Sequence, residues 1–216
     1  MSLKISILPV TTYQQNCSIL LCENTKKVAL VDPGGETERI LAFVNELEAT
    51  VEKIFLTHGH LDHVGAAVEI NNITGAPIEG PHIADKYWLD DIGKYAEIMQ
   101  FPPAQSFIPD RWLEDSDIIK FGDQTLHVIH CPGHTPGHVV FIEKKLKVAM
   151  VGDVLFQGSI GRTDFPGGSH EALIHSITDR LFPLGDDIQF IPGHGPSSNF
   201  GHERRNNPFV SDKKFG

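Results

Sequence analysis

The sequence predicts an α+β fold of two β-sheets with helices packed outside them, and three patterns carry that expectation. Short β-branched or apolar runs separated by polar turns open the chain and return in its second half. Between and after them, apolar residues recur at helical spacing. Runs of strands, then helices, then strands again favour layered sheets with helices outside. In order, residues 4–10, 17–22 and 27–31 read as an antiparallel meander, with Glu23-Asn24-Thr25 at one turn and Asp32-Pro33-Gly34-Gly35 ending the third strand. From Glu36 the stripe Ile40, Leu41, Val44 and Leu47 predicts a helix. Residues 51–56 return to strand character and stop at Thr57. Residues 64–70 begin a helix with Asp62 near its N-terminus, and residues 83–99, with Tyr87, Trp88, Ile92, Tyr95 and Met99, give a second helical stretch. A Pro-rich irregular segment, 100–110, follows. Strands resume at 125–130, 139–143 and 147–151. Ser169 is placed to cap a helix running to Phe182, because Ala172, Leu173, Ile177 and Leu181 share one face. Residues 188–191 form the last expected strand. No repeat or linker divides the chain, so a single domain over residues 1–216 is expected.

At 216 residues and 40% hydrophobic composition, the chain can bury a large core. Its formal net charge of −10 argues against nucleic acid, whose phosphates call for clustered Lys and Arg, and against anionic membrane surfaces. The start, Met1-Ser2-Leu3-Lys4-Ile5-Ser6, lacks the basic and apolar regions of a secretory signal, and no apolar run is long enough to span a bilayer. Cys17, Cys22 and Cys131 form no Cys-x-x-Cys pair and leave one unpaired in any disulfide scheme, which fits a reducing compartment. The cytoplasm is the expected location. Oligomeric state is left open.

Twelve histidines are many for this length, and where they cluster decides their meaning. Thr57-His58-Gly59-His60-Leu61-Asp62-His63 follows a strand. His58 and His60 can point to one centre if the strand breaks into a turn, which Gly59 permits. Asp62 and His63 project from the next turn toward a neighbouring point. Three further apolar strands each end in glycine and a potential ligand: Gly133-His134, Gly152-Asp153 and Gly193-His194. Glycine suits a backbone that must bend closely around a site.

With these residues assembled, the chain resembles the metallo-β-lactamase superfamily. Asp32 in Val31-Asp32-Pro33-Gly34, the His-x-His-x-Asp-His loop, His134, Asp153 and His194 match that family's motifs in order. Within it the chain is most similar to short bacterial glyoxalase II proteins, in Cys131-Pro132-Gly133-His134-Thr135-Pro136-Gly137-His138, in residues 158–165, and in His202-Glu203-Arg204 with Asn207-Pro208-Phe209. The resemblance implies a four-layer αββα sandwich of two mixed sheets. It implies two divalent ions, one held by His58, His60 and His134, the other by Asp62, His63 and His194, with Asp153 between them and Asp32 supporting the loop from behind. Imidazole with carboxylate suits Zn(II), Fe(II) or Mn(II), with Zn(II) favoured. Such ions bring the pKa of a bound water to about 7 and hold a carbonyl oxygen, which favours hydrolysis. Asp62 and Asp153 are then the catalytic carboxylates, with Asp62 placed to take a proton from the nucleophile.

A small thioester suits such a site, because a thiolate leaves readily without a general acid, and the resemblance implies an S-acylglutathione such as S-lactoylglutathione as the substrate. Arg162 lies where the larger glyoxalase II enzymes carry a cationic glutathione contact; equally, it can pair with Asp164 on a surface loop. Those larger relatives carry a C-terminal helical domain that completes the glutathione site, and residues 195–216 are too few for one. The main alternative is a persulfide dioxygenase of the same fold, with one Fe(II) at the equivalents of His58, His134 and Asp153. Lactonase or β-lactamase action on the same metals is a further alternative. His127, His130, His138, His82, His170, His175 and His202 are read as packed or solvent-facing, and Cys131 as a small buried residue. The aromatic segment from Tyr87 to Trp112 is either a lid or helix packing. Arg204 with Asn207-Pro208 anchors the tail near the site.

Overall fold

The computed structural model describes residues 3–212. Strands β1 (Leu3–Val10), β2 (Gln15–Cys22) and β3 (Lys27–Val31) pair antiparallel as a meander. Helix α1 (Thr37–Glu46) returns the chain to β4 (Thr50–Phe55), which runs parallel to β3. Two short helices, α2 (Leu61–Val64) and α3 (Ala67–Thr74), lead to β5 (Ile78–Glu79), which completes a sheet in sequential order. After α4 (Lys86–Asp90) and α5 (Ile92–Met99), the second sheet is laid down by β6 (Ile118–Phe121), β7 (Gln124–His130), β8 (Val139–Glu143) and β9 (Val148–Gly152). A small hairpin, β10 (Leu155–Phe156) with β11 (Ser159–Ile160), stands apart from both sheets. Helix α6 (His170–His175), β12 (Gln189–Pro192), β13 (Ser198–Asn199) and α7 (Phe200–Asn206) follow, and the second sheet has the order β13-β12-β9-β8-β7-β6.

Side-chain alternation sorts the core into layers. Along β2, Ile19 and Leu21 face out toward Ile40 and Val44 of α1 and Ile70 of α3, whereas Leu20 and Cys22 face the space between the sheets. Every residue of β2 is buried because both faces are covered. Between the sheets, Phe55 meets Phe141 and Phe121 with ring centroids 5.7 and 6.4 Å apart. On the far side, Val140, Ile142, Ala149 and Val151 pack under Leu173, Ile177 and Phe200. The layers are therefore helix, sheet, sheet, helix, as the sequence predicts.

Several boundaries differ from expectation. The helix expected over 64–70 is broken, because the chain bends at Gly65-Ala66 so that Ala66 N–H reaches the Pro33 carbonyl at 3.0 Å. The stretch 83–99 divides into a 3₁₀ turn and two helices that part at Asp91. The helix capped by Ser169, whose hydroxyl accepts from Ala172 N–H, widens into π-helical turns over Ser176–Leu181. Strands β5, β6, β10, β11 and β13 and helix α7 have no counterpart in the sequence reading. The strands are two to four residues long, too short for periodicity to register. Among the described residues no helix is long and apolar enough to cross a membrane.

Phe55→Ala is expected to cost about 3–5 kcal/mol, because the cavity opens between two sheets that cannot both close on it; the midpoint of urea unfolding reads it, and a loss under 1 kcal/mol contradicts this account of the inter-sheet core.

Candidate metal centre and its cleft

The predicted ligands all follow strand ends at one edge of the sandwich. His58 and His60 lie just after β4, Asp62 and His63 start α2, His134 follows β7, Asp153 follows β9 and His194 follows β12. The structure brings all seven together. His60 Nδ1 lies 3.1 Å from His58 Nε2 and 3.0 Å from His134 Nε2. Asp62, His63 and His194 form the adjoining group, with His194 Nε2 3.1 Å from Asp62 Oδ2. Asp153 sits between the groups: Oδ1 is 3.4 Å from His63 Nε2, while Oδ2 is 3.6 Å from His134 Nε2 and 3.8 Å from His194 Nε2.

Hydrogen bonds on the outer side of the rings decide what points inward. His134 Nδ1–H donates to the Arg162 carbonyl at 2.8 Å and His194 Nδ1–H to the Tyr13 carbonyl at 3.0 Å. His63 Nδ1–H donates to Asp32 Oδ2 at 2.9 Å. The Thr57 hydroxyl donates to the same oxygen at 2.6 Å, so it accepts from His58 Nδ1–H at 3.0 Å. A carbonyl or carboxylate can only accept, so each of these four rings holds Nδ1–H outward and points Nε2 inward, where a ligand's lone pair would be. Lone pairs facing one another and facing carboxylates repel unless a cation lies among them. His63 Nε2 and Asp153 Oδ1 are buried with no hydrogen-bond partner, which fits the same conclusion. The donor set fits divalent metal ions.

The electrostatics agree. Burial, reinforced by neighbouring histidines, holds His58 well below its ordinary pKa and brings His60 to about 3, while burial also lowers His134. These rings stay neutral, as ligands must. Burial opposes charge on His63 too, yet Asp153 and Asp62 outweigh it and raise its pKa well above the usual value. For Asp153, burial is outweighed by His63, His134 and His194, which keep the carboxylate ionised. The carboxylates thus draw positive charge to His63 Nε2, the position where a divalent ion would replace a proton.

Asp32 is a hydrogen-bond acceptor behind the candidate ligands. Besides its bonds to His63 and Thr57 Oγ1, its Oδ1 accepts from Thr57 N–H at 2.7 Å. Three other groups escaped the sequence reading. Buried Asp85 accepts from Gly59 N–H at 2.9 Å, from the Thr135 hydroxyl at 2.7 Å and from Gly137 N–H at 2.6 Å, tying the loops of His58, His60 and His134 together. Burial pushes its carboxyl up to about 6 against those bonds. His138 stacks on His58 at 4.6 Å and accepts from Asp153 N–H at 3.1 Å, so a histidine set aside as packed is packed in order to hold two ligand segments. Asn16 donates to the Pro192 and Gly195 carbonyls at 3.0 and 2.9 Å and so fixes the turn of His194. Only folding brings these groups to the ligands, and nothing local distinguishes them. Gly193 is sterically required, since a Cβ there would lie 2.1 Å from Asp153 Oδ1 and 2.5 Å from His63 Cε1.

The ligands floor an open cleft of about 720 Å3. Phe156 and Ile160 of the small hairpin form one wall, and Tyr13, Met99 and Phe165 another. Of the segment from Tyr87 to Trp112, Trp88 is buried edge-on against His60 at 4.5 Å, which is helix packing, while Met99 reaches the cleft. Arg162 stands at the rim in a two-bond pair with Asp164, at 2.8 and 2.7 Å, with its guanidinium 4.4 Å over Phe165. Its side chain borders the cleft while its carbonyl orients His134. Cys131 is fully buried and burial pushes its thiol up to about 12, in keeping with a small packed residue. Of the anchor expected at Arg204 with Asn207-Pro208, Asn207 reaches the Ser159 carbonyl beside the site together with Glu203, whereas Arg204 pairs with Asp186 and with Asp212 of the tail at the surface.

A family model of the metallo-β-lactamase superfamily matches residues 10–194. The chain belongs to that superfamily. It is 47% identical over 212 residues to a hydroxyacylglutathione hydrolase, GloC, of Haemophilus influenzae, covering 98% of this chain and all of the relative. The crystal structure of the BLEG-1 B3 metallo-β-lactamase superposes with a TM-score of 0.89 at 33% identity, covering 96% of this chain and 99% of that one. The structure of TTHA1623 in a di-iron-bound form gives 0.86 at 34% identity, covering 95% and 100%. This superfamily member carries the His and Asp groups for divalent metal ions.

Asp85→Ala leaves two buried N–H groups unpaired next to the ligands, and is expected to weaken metal affinity by about 10–100-fold, read by competition with a chromogenic chelator. Unchanged affinity in a folded variant would show that the loops hold without it. Gly193→Ala is expected to lose the ion nearest His63, read as metal content per chain by elemental analysis.

Proposed function

We propose that this chain is a metal-dependent thioester hydrolase of the hydroxyacylglutathione hydrolase (glyoxalase II) type, with S-lactoylglutathione as its leading substrate. The observation that carries the proposal is a single carboxylate, Asp153, turned toward two ligand groups on the floor of an open cleft. The likeness to the Haemophilus influenzae hydrolase supports the substrate class. His58, His60 and His134 would hold one ion, Asp62, His63 and His194 the other, and Asp153 both. Imidazole and carboxylate donors suit Zn(II), with Fe(II) or Mn(II) accepted by the same set.

Held by these residues, two divalent ions would supply a water that ionises near neutral pH and would polarise a carbonyl oxygen. The protein's own groups do the rest. Burial opposes ionisation of Asp62, but His63 and His194 hold its carboxyl below the ordinary range, so it is ready to accept a hydrogen bond from the attacking water. An ionised Asp62 would orient the water by accepting its hydrogen bond, and the proton lost on hydrolysis would leave to bulk solvent through the open cleft. Phe156, Ile160 and Phe165 shield the acyl group from bulk water. The departing thiolate is a stable anion, so the cleft needs no general acid beside the sulfur. Arg162, at the rim, is placed for a carboxylate of the thiol carrier, provided the carrier exchanges with Asp164. Cys17, Cys22 and Cys131 are free thiols, which with a glutathione substrate fits the reducing cytoplasm.

Metal-reconstituted protein is expected to hydrolyse S-lactoylglutathione faster than a β-lactam, measured by thioester absorbance and by thiol release. Faster β-lactam turnover would move the chain toward the activity named for BLEG-1. One bound iron with O2 uptake on glutathione persulfide would replace hydrolysis by persulfide oxidation. Asp153→Ala is expected to lower kcat/KM by on the order of 10³-fold, and a chelator to abolish activity until metal is restored.

A further inference from the structure

The hairpin of β10 and β11 is too small to hold its own shape. It has two residues per strand, paired Leu155 with Ile160 and Phe156 with Ser159, and joins neither main sheet. Isolated two-stranded ribbons are marginal in water. Yet it follows Asp153 directly, leads into Arg162, and turns Phe156, Gln157, Ser159 and Ile160 toward the cleft. Its shape comes from α7. Glu203 is fully buried there, and its Oε2 accepts from Gly158 N–H, at the hairpin turn, at 2.8 Å and from the Asn207 amide at 2.9 Å. Its Oε1 accepts from the Ser198 hydroxyl at 2.5 Å. Asn207 is also fully buried, and the same amide donates to the Ser159 carbonyl at 3.0 Å. One turn of α7 thus holds a backbone donor and a backbone acceptor of the hairpin. The helix itself is fixed, since Phe200 stacks on Phe190 at 5.7 Å in the core outside the second sheet.

We infer that Glu203 and Asn207 are positioning residues for substrate: they hold the β10–β11 wall of the cleft in register with the metal site without touching the reacting atoms. The inference rests on the thioester hydrolase reading. The wall's side chains line the cleft and none of them is a candidate ligand, whereas His58, His63, His134, His194 and the Asp153 segment are oriented by other groups: Thr57, Asp32, the carbonyls of Arg162 and Tyr13, and His138. Loosening the wall therefore affects substrate binding more than metal binding or the chemical step.

The test compares variants of the metal-loaded full chain with S-lactoylglutathione. Glu203→Ala and Asn207→Ala are expected to raise KM about tenfold while kcat stays within about threefold, with metal content equal to the parent. Glu203→Gln restores the parent KM, because its amide oxygen accepts from Gly158 and Asn207 while its NH2 turns to the Ser198 oxygen. Ser198→Ala cuts a bond to Glu203 that does not reach the hairpin, so it lowers the melting temperature and leaves KM unchanged. Hydrogen exchange over residues 155–161 gives a readout independent of activity and is expected to speed up in both alanine variants. Should Glu203→Ala fail to fold, Asn207→Ala decides alone. Unchanged KM with unchanged exchange at 155–161 overturns the inference, as does a KM rise in Ser198→Ala matching that of Glu203→Ala, or a collapse of kcat with loss of metal. A parent chain that hydrolyses no thioester sinks the hydrolase reading, and the exchange data then still decide whether α7 holds the wall.

Discussion

The carboxylate of Asp32 is where the two halves of the metal centre are joined. It accepts the Thr57 amide and hydroxyl on one side and the His63 ring on the other, so the end of β4 and the start of α2 are held at fixed distances. Thr57 passes the constraint to His58, whose outer nitrogen donates to the hydroxyl. One acidic side chain thereby sets the orientation of a histidine in each ligand group. Asp32 keeps this place with a left-handed backbone, φ 53°, which aspartate tolerates better than most residues.

The rest of the centre follows the same rule with different acceptors. Backbone carbonyls of Arg162 and Tyr13 replace carboxylates behind His134 and His194, so two loops far apart in the sequence help to orient the candidate ligands. Asp85 and His138 then lock the β4 and β7 loops against each other and against Asp153. Strands β9 and β12 are buried over most of their length, and β4 is buried at the end that carries the ligand loop. The ligands therefore hang from a rigid base, as precise metal geometry requires.

The cleft is less rigid in origin than its floor. Its floor is made by strand ends, whereas its walls are loops, a four-residue ribbon and side chains such as Phe165, which packs edge-on against His60. Chemistry and specificity are thus carried by different parts of the chain. That separation is consistent with relatives of high structural likeness bearing the names of both a hydroxyacylglutathione hydrolase and a β-lactamase.

By itself the sequence determined the long strands, the layering of sheets and helices, and every candidate ligand, because burial on a sheet and ligation after a strand leave local marks: apolar runs, and glycine before His or Asp. It also pointed to Asp32 through the family motif. It left Arg162 undecided between substrate and Asp164, and the structure shows the ion pair at the cleft rim. Only the tertiary structure decided the short strands, the roles of Asp85, His138 and Asn16, and the part of Glu203 beside Asn207 in holding the hairpin. Those residues act on partners from 15 to 179 positions away, through hydrogen bonds to backbone atoms. A backbone amide or carbonyl has the same chemistry at every position, so no pattern of side chains announces which ones a folded chain will bring together.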